Sequence, residues 1–277
     1  MSTSGSSAGV GGETPRELHE FVCDLALRAG ELQLSRYDRP GEIREKAPKD
    51  IVTEVDLLCE DLMVSRIQEH YPEDAILSEE RGGEIAETGR TWLLDPVDGT
   101  ANFARANPLF CACVSVLEDG EVVHAAVAAP RFGDLYHASR GGGAFRDFDG
   151  GRSEPLEVGD AESLEYAFVG ADLSFTGVTG TTGGGGGIGR IFDAAWQLRA
   201  LGSAGIRGAW VAAGYLDVSI GTRNTAWDYA PTALLVSEAG GLATDLSGEP
   251  WTLDSDGLIS ANPLLHAEIL QILKKDS

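Results

Sequence analysis

Apolar residues recur at helical spacing near the start of the chain. Leu18, Phe21, Val22, Leu25, Ala29 and Leu32 fall three and four positions apart, and Thr14-Pro15-Arg16-Glu17 ahead of them reads as a capping box with proline at the first helical position. A second helix is predicted to open at Thr53-Glu54-Val55-Asp56, with Val55, Cys59, Leu62, Met63 and Ile67 as its apolar face. Ile43 to Lys49, between the two, reads as a polar connection. The pattern then becomes continuous: Phe110 to Leu117 and Val122 to Ala129 are apolar runs joined by Glu118-Asp119-Gly120-Glu121, two strands and a turn. Leu135 to Ala138 and the stretch around Phe145 extend that sheet, with Gly141-Gly142-Gly143 as a turn. Helices followed by strands make this half α+β, a sheet covered by a helix pair.

Near residue 151 the chain turns polar, and order restarts at Pro155-Leu156-Glu157-Val158. A domain boundary is expected there: a Ser/Gly/Thr-rich disordered tail over 1–13, an N-terminal α+β domain over 14–150 and a C-terminal α/β domain over 151–277. In the second half, Arg190 to Leu198 and Ala204 to Ala213 look helical and Leu216 to Ile220 a strand. Tyr229 to Glu238 is a helix ended by Gly240-Gly241, Leu242 to Thr244 and Leu258 to Ser260 are strands, and Leu264 to Ile272 is a closing helix. Residues 176–189 are glycine-rich, but no Gly-Lys-Ser/Thr follows, so they read as a flexible surface loop and not as a phosphate loop.

Composition narrows the partners. The 277 residues carry a net charge of −23, which would repel nucleic acid and anionic membrane, whereas metal cations are natural counterparts. Lys46, Lys49, Lys274 and Lys275 are the only lysines; arginine supplies the remaining positive charge. Such a chain suits either molar salt, where the Debye length is about 3 Å, as in a salt-in halophile, or an ordinary acidic cytosolic protein. Cys23, Cys59, Cys111 and Cys113 lie in apolar segments and read as buried thiols. No signal peptide and no apolar run of about 18 residues is visible, so a cytoplasmic protein is expected.

The chemistry centres on Trp92-Leu-Leu-Asp95-Pro-Val97-Asp98-Gly99-Thr100-Ala-Asn102-Phe103. An apolar run ends in one carboxylate, a proline-stiffened turn brings a second close, and Gly99 permits a close backbone approach. Asp98-Gly99 is either a plain turn or part of a site in which a hard cation relieves carboxylate repulsion and the N–H groups of Gly99 and Thr100 meet an oxyanion. Glu79 and Glu80 after Ile76-Leu77, and Asp228 in Trp227-Asp-Tyr-Ala, add carboxylates to a possible single pocket. Asp56, in a first helical turn, is favoured there by capping alone.

Asp95-Pro-Val-Asp-Gly-Thr-Ala-Asn-Phe103 and Trp227-Asp-Tyr-Ala-Pro-Thr-Ala-Leu-Leu-Val-Ser-Glu-Ala-Gly-Gly241, with Ser78-Glu79-Glu80 and Lys46 to Asp56, resemble the signature segments of the inositol monophosphatase family over roughly residues 16 to 275. The resemblance implies a layered αβαβα sugar-phosphatase fold and a homodimer. It also implies a Mg²⁺-dependent phosphomonoester hydrolase of small sugar or polyol phosphates, with inositol 1-phosphate and fructose 1,6-bisphosphate favoured. Two or three Mg²⁺ ions per site are expected, with Li⁺ as inhibitor. By the same resemblance, Glu79, Asp95 and the Val97 carbonyl hold a first ion, while Asp95, Asp98 and Asp228 hold a second. Thr100 shares the attacking water's proton with Asp56 or Glu79, and Asp98, Gly99, Thr100, Ser203 and Arg223 line the substrate. Lys46 is one position off the family's lysine, and Gly221 stands where animal members carry a substrate-binding glutamate. Gly202-Ser203-Ala204 either leaves room for a polyol or serves close helix packing, and Arg223 either binds phosphate or is simply exposed. An adenosine 3′,5′-bisphosphate phosphatase or an inactive metal-binding member are the alternatives.

Overall fold

The structure, a computed structural model, describes residues 14–48, 50–148, 150–171, 185–222 and 226–274. The tail over 1–13 and most of the glycine-rich stretch lie outside them. Helix α1 spans Pro15–Ser35 and begins with the expected capping box, in which Glu17 N donates to Thr14 Oγ1 and Thr14 N to the Glu17 carboxylate. Helix α2 spans Glu54–His70 and repeats the device with Thr53 and Asp56. The residues between them are not a plain connection. Ile43–Ala47 (β1) and Asp50–Thr53 (β2) form an antiparallel hairpin with Ile43 opposite Thr53. All five β1 residues are exposed, so no apolar alternation announced the strand.

Eight strands form the large sheet: β3 Ala75–Ser78, β4 Gly82–Gly83, β5 Arg90–Asp98, β6 Cys111–Glu118, β7 Glu121–Ala129, β8 Asp134–Ser139, β9 Gly143–Phe148 and β10 Arg152–Pro155. Their order is β10-β9-β8-β7-β6-β5-β3-β4, antiparallel throughout except where β3 runs parallel to β5. The polar break at 151 falls inside the β9–β10 hairpin, so the first sheet runs past it to Pro155. The smaller sheet, ordered β12-β11-β13-β15-β14, comprises β11 Phe168–Ala171, β12 Gln197–Arg199, β13 Val218–Gly221, β14 Leu242–Thr244 and β15 Leu258–Ala261. The remaining helices are a four-residue turn α3 (Thr100–Phe103), α4 (Gly185–Ala194), α5 (Ala204–Ala212), α6 (Ala226–Glu238) and α7 (Pro263–Lys274). The helix expected to continue to Leu198 ends at Ala194, and Gln197–Arg199 pairs instead as an exposed edge strand.

Strand periodicity assigns the layers, because alternate residues face opposite sides of a sheet. Trp92, Leu94, Ala112, Val114, Val116, Ala126 and Ala128 pack with α1 and α2 on one side of the large sheet. Their neighbours Leu93, Cys111, Cys113, Ala125 and Val127 pack on the other side with Ile206, Ala209 and Val211 of α5 and Leu234 and Leu235 of α6. Helix α5 also contacts β13 and β15 and helix α6 contacts β14 and β15, and the far face of the small sheet, with Val169, Val218, Ile220 and Ile259, is closed by Ile191 of α4 and Leu265 and Ile269 of α7. The result is an α+β fold in five layers, αβαβα. No described helix is long and apolar enough to cross a membrane.

Candidate active site

The end of β5 is where the layers meet. Its pairing with β6 is regular from Arg90 to Asp95 and then slips, so that Asp98 next pairs with Cys111. The slip accommodates Pro96, whose missing N–H cannot serve a ladder. Gln33, fully buried near the end of α1, donates from Nε2 to the Pro96 carbonyl at 2.7 Å and to Cys111 O at 3.2 Å, so the bulge is held from the outer helix layer. Gly99 follows with φ +89°, and a Cβ there would lie 2.7 Å from Leu109 O, so the close approach foreseen at this glycine is to the chain's own backbone. Asn102 donates from Nδ2 to Leu109 O at 2.7 Å and Leu201 O at 2.8 Å, and buried Phe103 meets Phe110 edge-on at 4.9 Å. The stretch from Asp95 to Phe103 is thereby fixed to both halves of the molecule.

Three carboxylates converge at this bulge. Asp95 is 2% exposed, Asp98 is buried and Asp228, in the first turn of α6, is half-buried; one oxygen from each lies within 4.8 Å of the others. Burial, then the charges of Glu79, Asp228 and Asp98, push the Asp95 carboxyl well above the usual carboxylate range. Asp95 Oδ1 accepts from Val97 N at 3.0 Å. Asp98 is tied further: its carboxylate accepts from Ala204 N at 3.0 Å, Gly205 N at 2.8 Å, the Ser203 hydroxyl and the Cys111 thiol. It therefore sits on the N-terminal N–H groups of α5, where an anion is stabilised.

Beside the triad is a hydroxyl relay. Asp56, at 1% exposure, accepts at Oδ2 from Thr53 N at 2.9 Å and from the Thr53 hydroxyl, leaving Oδ1 to accept from Thr100 Oγ1 at 2.9 Å. Thr100 Oγ1 also lies 3.0 Å from Val97 O. Its single proton serves one acceptor at a time. Burial raises the Asp56 carboxyl despite those hydrogen bonds. Capping and proximity to the site are thus properties of one side chain.

Ser78 pairs with Leu94 in the parallel β3–β5 register, and Glu79 N donates to Leu94 O at 3.1 Å, which sets Glu79 next to Asp95. Its Oε1 accepts from Lys46 Nζ at 2.9 Å, and Lys46 also reaches Glu80 at 2.7 Å. Burial lowers the Lys46 ammonium, but the hydrogen bonds it donates to Glu80 and Glu79 outweigh it and hold the group firmly charged. Burial lifts the Glu80 carboxyl to about 7 in spite of that lysine. The loop's shape comes from Glu60 of α2, fully buried, which accepts from the Ser78 hydroxyl, Glu80 N at 3.2 Å and Arg81 N at 3.1 Å.

The profile of the inositol monophosphatase family matches residues 14–277. The chain belongs to the inositol monophosphatase family. It is 34% identical over 257 residues to a protein of Thermotoga maritima named fructose-1,6-bisphosphatase/inositol-1-monophosphatase, covering 92% of this chain and 95% of that one. It is also 34% identical over 252 residues to a histidinol-phosphatase of Mycobacterium tuberculosis, covering 89% and 94%. A solved Thermotoga maritima inositol monophosphatase superposes with a TM-score of 0.82 at 32% identity, covering 93% of this chain and 96% of that one. Family and relatives make this chain a phosphatase of the sugar-phosphate type.

For this inositol monophosphatase family member, Asp95, Asp98 and Asp228 converge as the sequence suggested, with Thr100 and Asp56 alongside and Glu79 turned to Lys46. The Val97 carbonyl faces the Thr100 hydroxyl. Ser203, expected at the substrate, is 2% exposed, caps α5 by accepting from Ile206 N and gives its proton to Asp98. A Cβ on Gly205, two residues on, would collide with the Cys111 and Cys113 sulfurs, so the start of α5 packs closely on β6, while Gly202, at φ +70°, faces the Asn102 amide. At Gly221 a side chain would collide with the hydroxyl of buried Tyr229, so the phenol lies against bare backbone at this position. Arg223 lies outside the described residues. Gln33 and Glu60 were not singled out from the sequence, and Cys111, read there as a buried thiol, is buried and also donates to Asp98. Gln33 alone left a trace, as a polar residue four after Ala29 on an otherwise apolar face.

Proposed function

We infer that this chain is a Mg²⁺-dependent phosphomonoester hydrolase of small sugar or polyol phosphates, with inositol 1-phosphate and fructose 1,6-bisphosphate as favoured substrates. The observation that carries the reading is the convergence of Asp95, Asp98 and Asp228 in a buried setting, where like charges hold the Asp95 carboxyl above its ordinary range. Such a group of hard oxygen donors fits Mg²⁺, which takes few carboxylates and retains water. Asp95, Asp98 and Asp228, with Glu79 adjacent, would hold the ion, and when bound it would supply charge neutralisation for phosphate oxygens and acidification of a nearby water.

The chain's own residues do the rest. Thr100 Oγ1 donates to Asp56 Oδ1 and so offers its lone pairs to a water proton, while Asp56, made more basic by burial, receives the proton passed on. Thr53 keeps the other Asp56 oxygen occupied and the carboxylate oriented. Asp98, locked to α5, holds its edge of the pocket rigid. Gly99 and Thr100 at the start of α3 and Arg223 beyond β13 are assigned to the phosphate groups. Lys46 holds Glu79 and Glu80 when no cation draws Glu79 away. With Gly221 under Tyr229, selectivity through an acidic side chain at 221 is excluded, which favours a broader polyol or sugar site.

The test is phosphate release from inositol 1-phosphate, fructose 1,6-bisphosphate and adenosine 3′,5′-bisphosphate, with histidinol phosphate added because of the mycobacterial relative. Each is assayed with Mg²⁺ or EDTA, at low and molar KCl, and with Li⁺. Metal-dependent, Li⁺-inhibited turnover of the first two is expected. Preference for the nucleotide or for histidinol phosphate would move the substrate class. Release that persists in EDTA, or none from any substrate, overturns the reading.

A further inference from the structure

Three of the chain's five histidines gather with a cysteine between α1 and the large sheet. His19 and Cys23 stand one turn apart on α1 and so share a face. His137 comes from β8, and His124 from the adjoining β7. His19 Nε2 lies 2.9 Å from His137 Nδ1 and 3.7 Å from Cys23 Sγ. The His19 ring centroid is 5.1 Å from that of His137 and 5.2 Å from that of His124. One donor atom each from His19, Cys23 and His137 falls within 4.8 Å of the other two.

Those separations match a known coordination geometry. With zinc–nitrogen bonds of about 2.0–2.1 Å, zinc–sulfur of about 2.3 Å and tetrahedral angles, ligand atoms stand about 3.4 Å apart for N–N and about 3.5 Å for N–S. The His19–Cys23 distance is within a few tenths of that value, and the two imidazoles need part by only about half an ångström. The orienting group is present as well. Asp147 Oδ2 on β9 lies 3.4 Å from His137 Nε2, which has no hydrogen-bond partner as placed, so a shift of a few tenths of an ångström would let Nε2–H donate to the carboxylate and leave the Nδ1 lone pair facing His19 and Cys23. The Nδ1 atom of His19 is buried without a hydrogen-bond partner. Packing alone gives no reason for imidazoles here, since an apolar side chain would fill the space without leaving a polar atom dry.

We propose that His19 Nε2, Cys23 Sγ and His137 Nδ1 form a second metal site, for a zinc-class transition ion, with water in the fourth position and Asp147 orienting His137. Thiol and imidazole donors are too soft for Mg²⁺, so the site is chemically distinct from the carboxylate pocket. It is separate in space too: Gln33, which touches the Asp95 bulge, is ten residues and about 15 Å further along α1 than Cys23. On binding, the Cys23 S–H bond breaks as the sulfur–metal bond forms and that proton leaves to solvent, while the proton by which His19 Nε2 donates to His137 Nδ1 in the metal-free chain shifts to His19 Nδ1, freeing Nε2 to ligate. The ion would pin the first helix to β8 and raise the stability of the outer layer. None of this depends on which phosphate ester the enzyme takes.

The experiment strips the full chain with chelator, saturates it with Mg²⁺ to fill the carboxylate pocket, and titrates with Co²⁺ as a spectroscopic surrogate. One equivalent is expected to give the thiolate-to-cobalt charge-transfer band, and Zn²⁺ is expected to abolish it. The band should survive in Asp95→Asn and vanish in both Cys23→Ser and His137→Gln, each still hydrolysing substrate. Excess Zn²⁺ should raise Tm of the wild type by about 5 °C and leave Cys23→Ser unmoved. No band, or a band that persists in Cys23→Ser and disappears in Cys111→Ser, would overturn the proposal, the latter by assigning the thiolate to β6.

Discussion

At the scale of single residues, Asp95 is a side chain that weakens the metal-free fold and, on the proposed function, serves the chemistry. Its folded pKa is raised by burial and by Glu79, Asp228 and Asp98, so the folded chain retains a proton that the unfolded chain loses near pH 4. Without metal, stability therefore falls as pH rises from about 4 through that raised value. Asp95→Asn should remove this penalty, so in EDTA its Tm should exceed that of the wild type by an amount that grows with pH, while hydrolysis is lost. With Mg²⁺ the order should reverse at neutral pH, since the ion selects the deprotonated wild-type carboxylate. A Tm series in pH, with and without Mg²⁺, reads both; a difference independent of pH would show that Asp95 is not under electrostatic load. Thr100 gives a sharper test of the relay. Thr100→Val keeps the shape but removes the proton carried to Asp56, and should lower kcat by about a hundredfold or more with KM little changed; Thr100→Ser should recover most of it. Equal rates for Val and Ser would remove Thr100 from proton transfer.

At the scale of elements, the start of α5 links the two halves of the site. Ser203 accepts from Ile206 N at 3.2 Å and donates to Asp98, so Ser203→Ala removes both a helix cap and a carboxylate partner. The cap alone is worth about 1 kcal/mol, and the lowered urea midpoint should be accompanied by weaker Mg²⁺ binding, read as a higher Mg²⁺ concentration needed for hydrolysis, because Asp98 loses a restraint. An unchanged midpoint would mean that water replaces the hydroxyl without cost. This linkage was not legible in the sequence, whereas much else was. The capping boxes at Thr14 and Thr53, the β6–β7 hairpin at Asp119-Gly120 and the glycine stop after α6 depend on nearest neighbours along the chain, and the residues that make them can be read in order. Strand β1 has no buried residue and β12 none either, so neither carries an alternation to detect. Lys46 was visible as a rare cation, but its bridge to Glu79 and Glu80 exists only because the β1–β2 hairpin folds back towards β3. Likewise the close seat of α5 was not legible, because it depends on the Cys111 and Cys113 sulfurs of β6, which occupy the space a Cβ at Gly205 would need.

At the scale of the whole molecule, a net charge of −23 on a fold this size must be opposed by ions as well as by packing. Ion pairs such as Arg16–Glu20 and Arg28–Asp24 lie on exposed surface, where each contributes little and is screened by salt. The larger effect is the repulsion among unmatched carboxylates, which salt relieves. Simple screening is largely complete by a few tenths molar, because the Debye length is already about 10 Å at 0.1 M and shrinks to about 3 Å at 1 M. If the acidic surface serves only solubility, Tm should climb in dilute KCl and level off. Adaptation to a salt-filled cytoplasm requires more: Tm and hydrolysis both continuing to rise to molar KCl, with the gain persisting when Mg²⁺ is held saturating so that ion occupancy of the carboxylate pocket is not what changes. We expect the second outcome, because lysine has been almost eliminated while arginine remains, leaving the carboxylates with few flexible partners. A plateau below half-molar KCl, or activity that declines beyond it, would show an ordinary acidic enzyme instead.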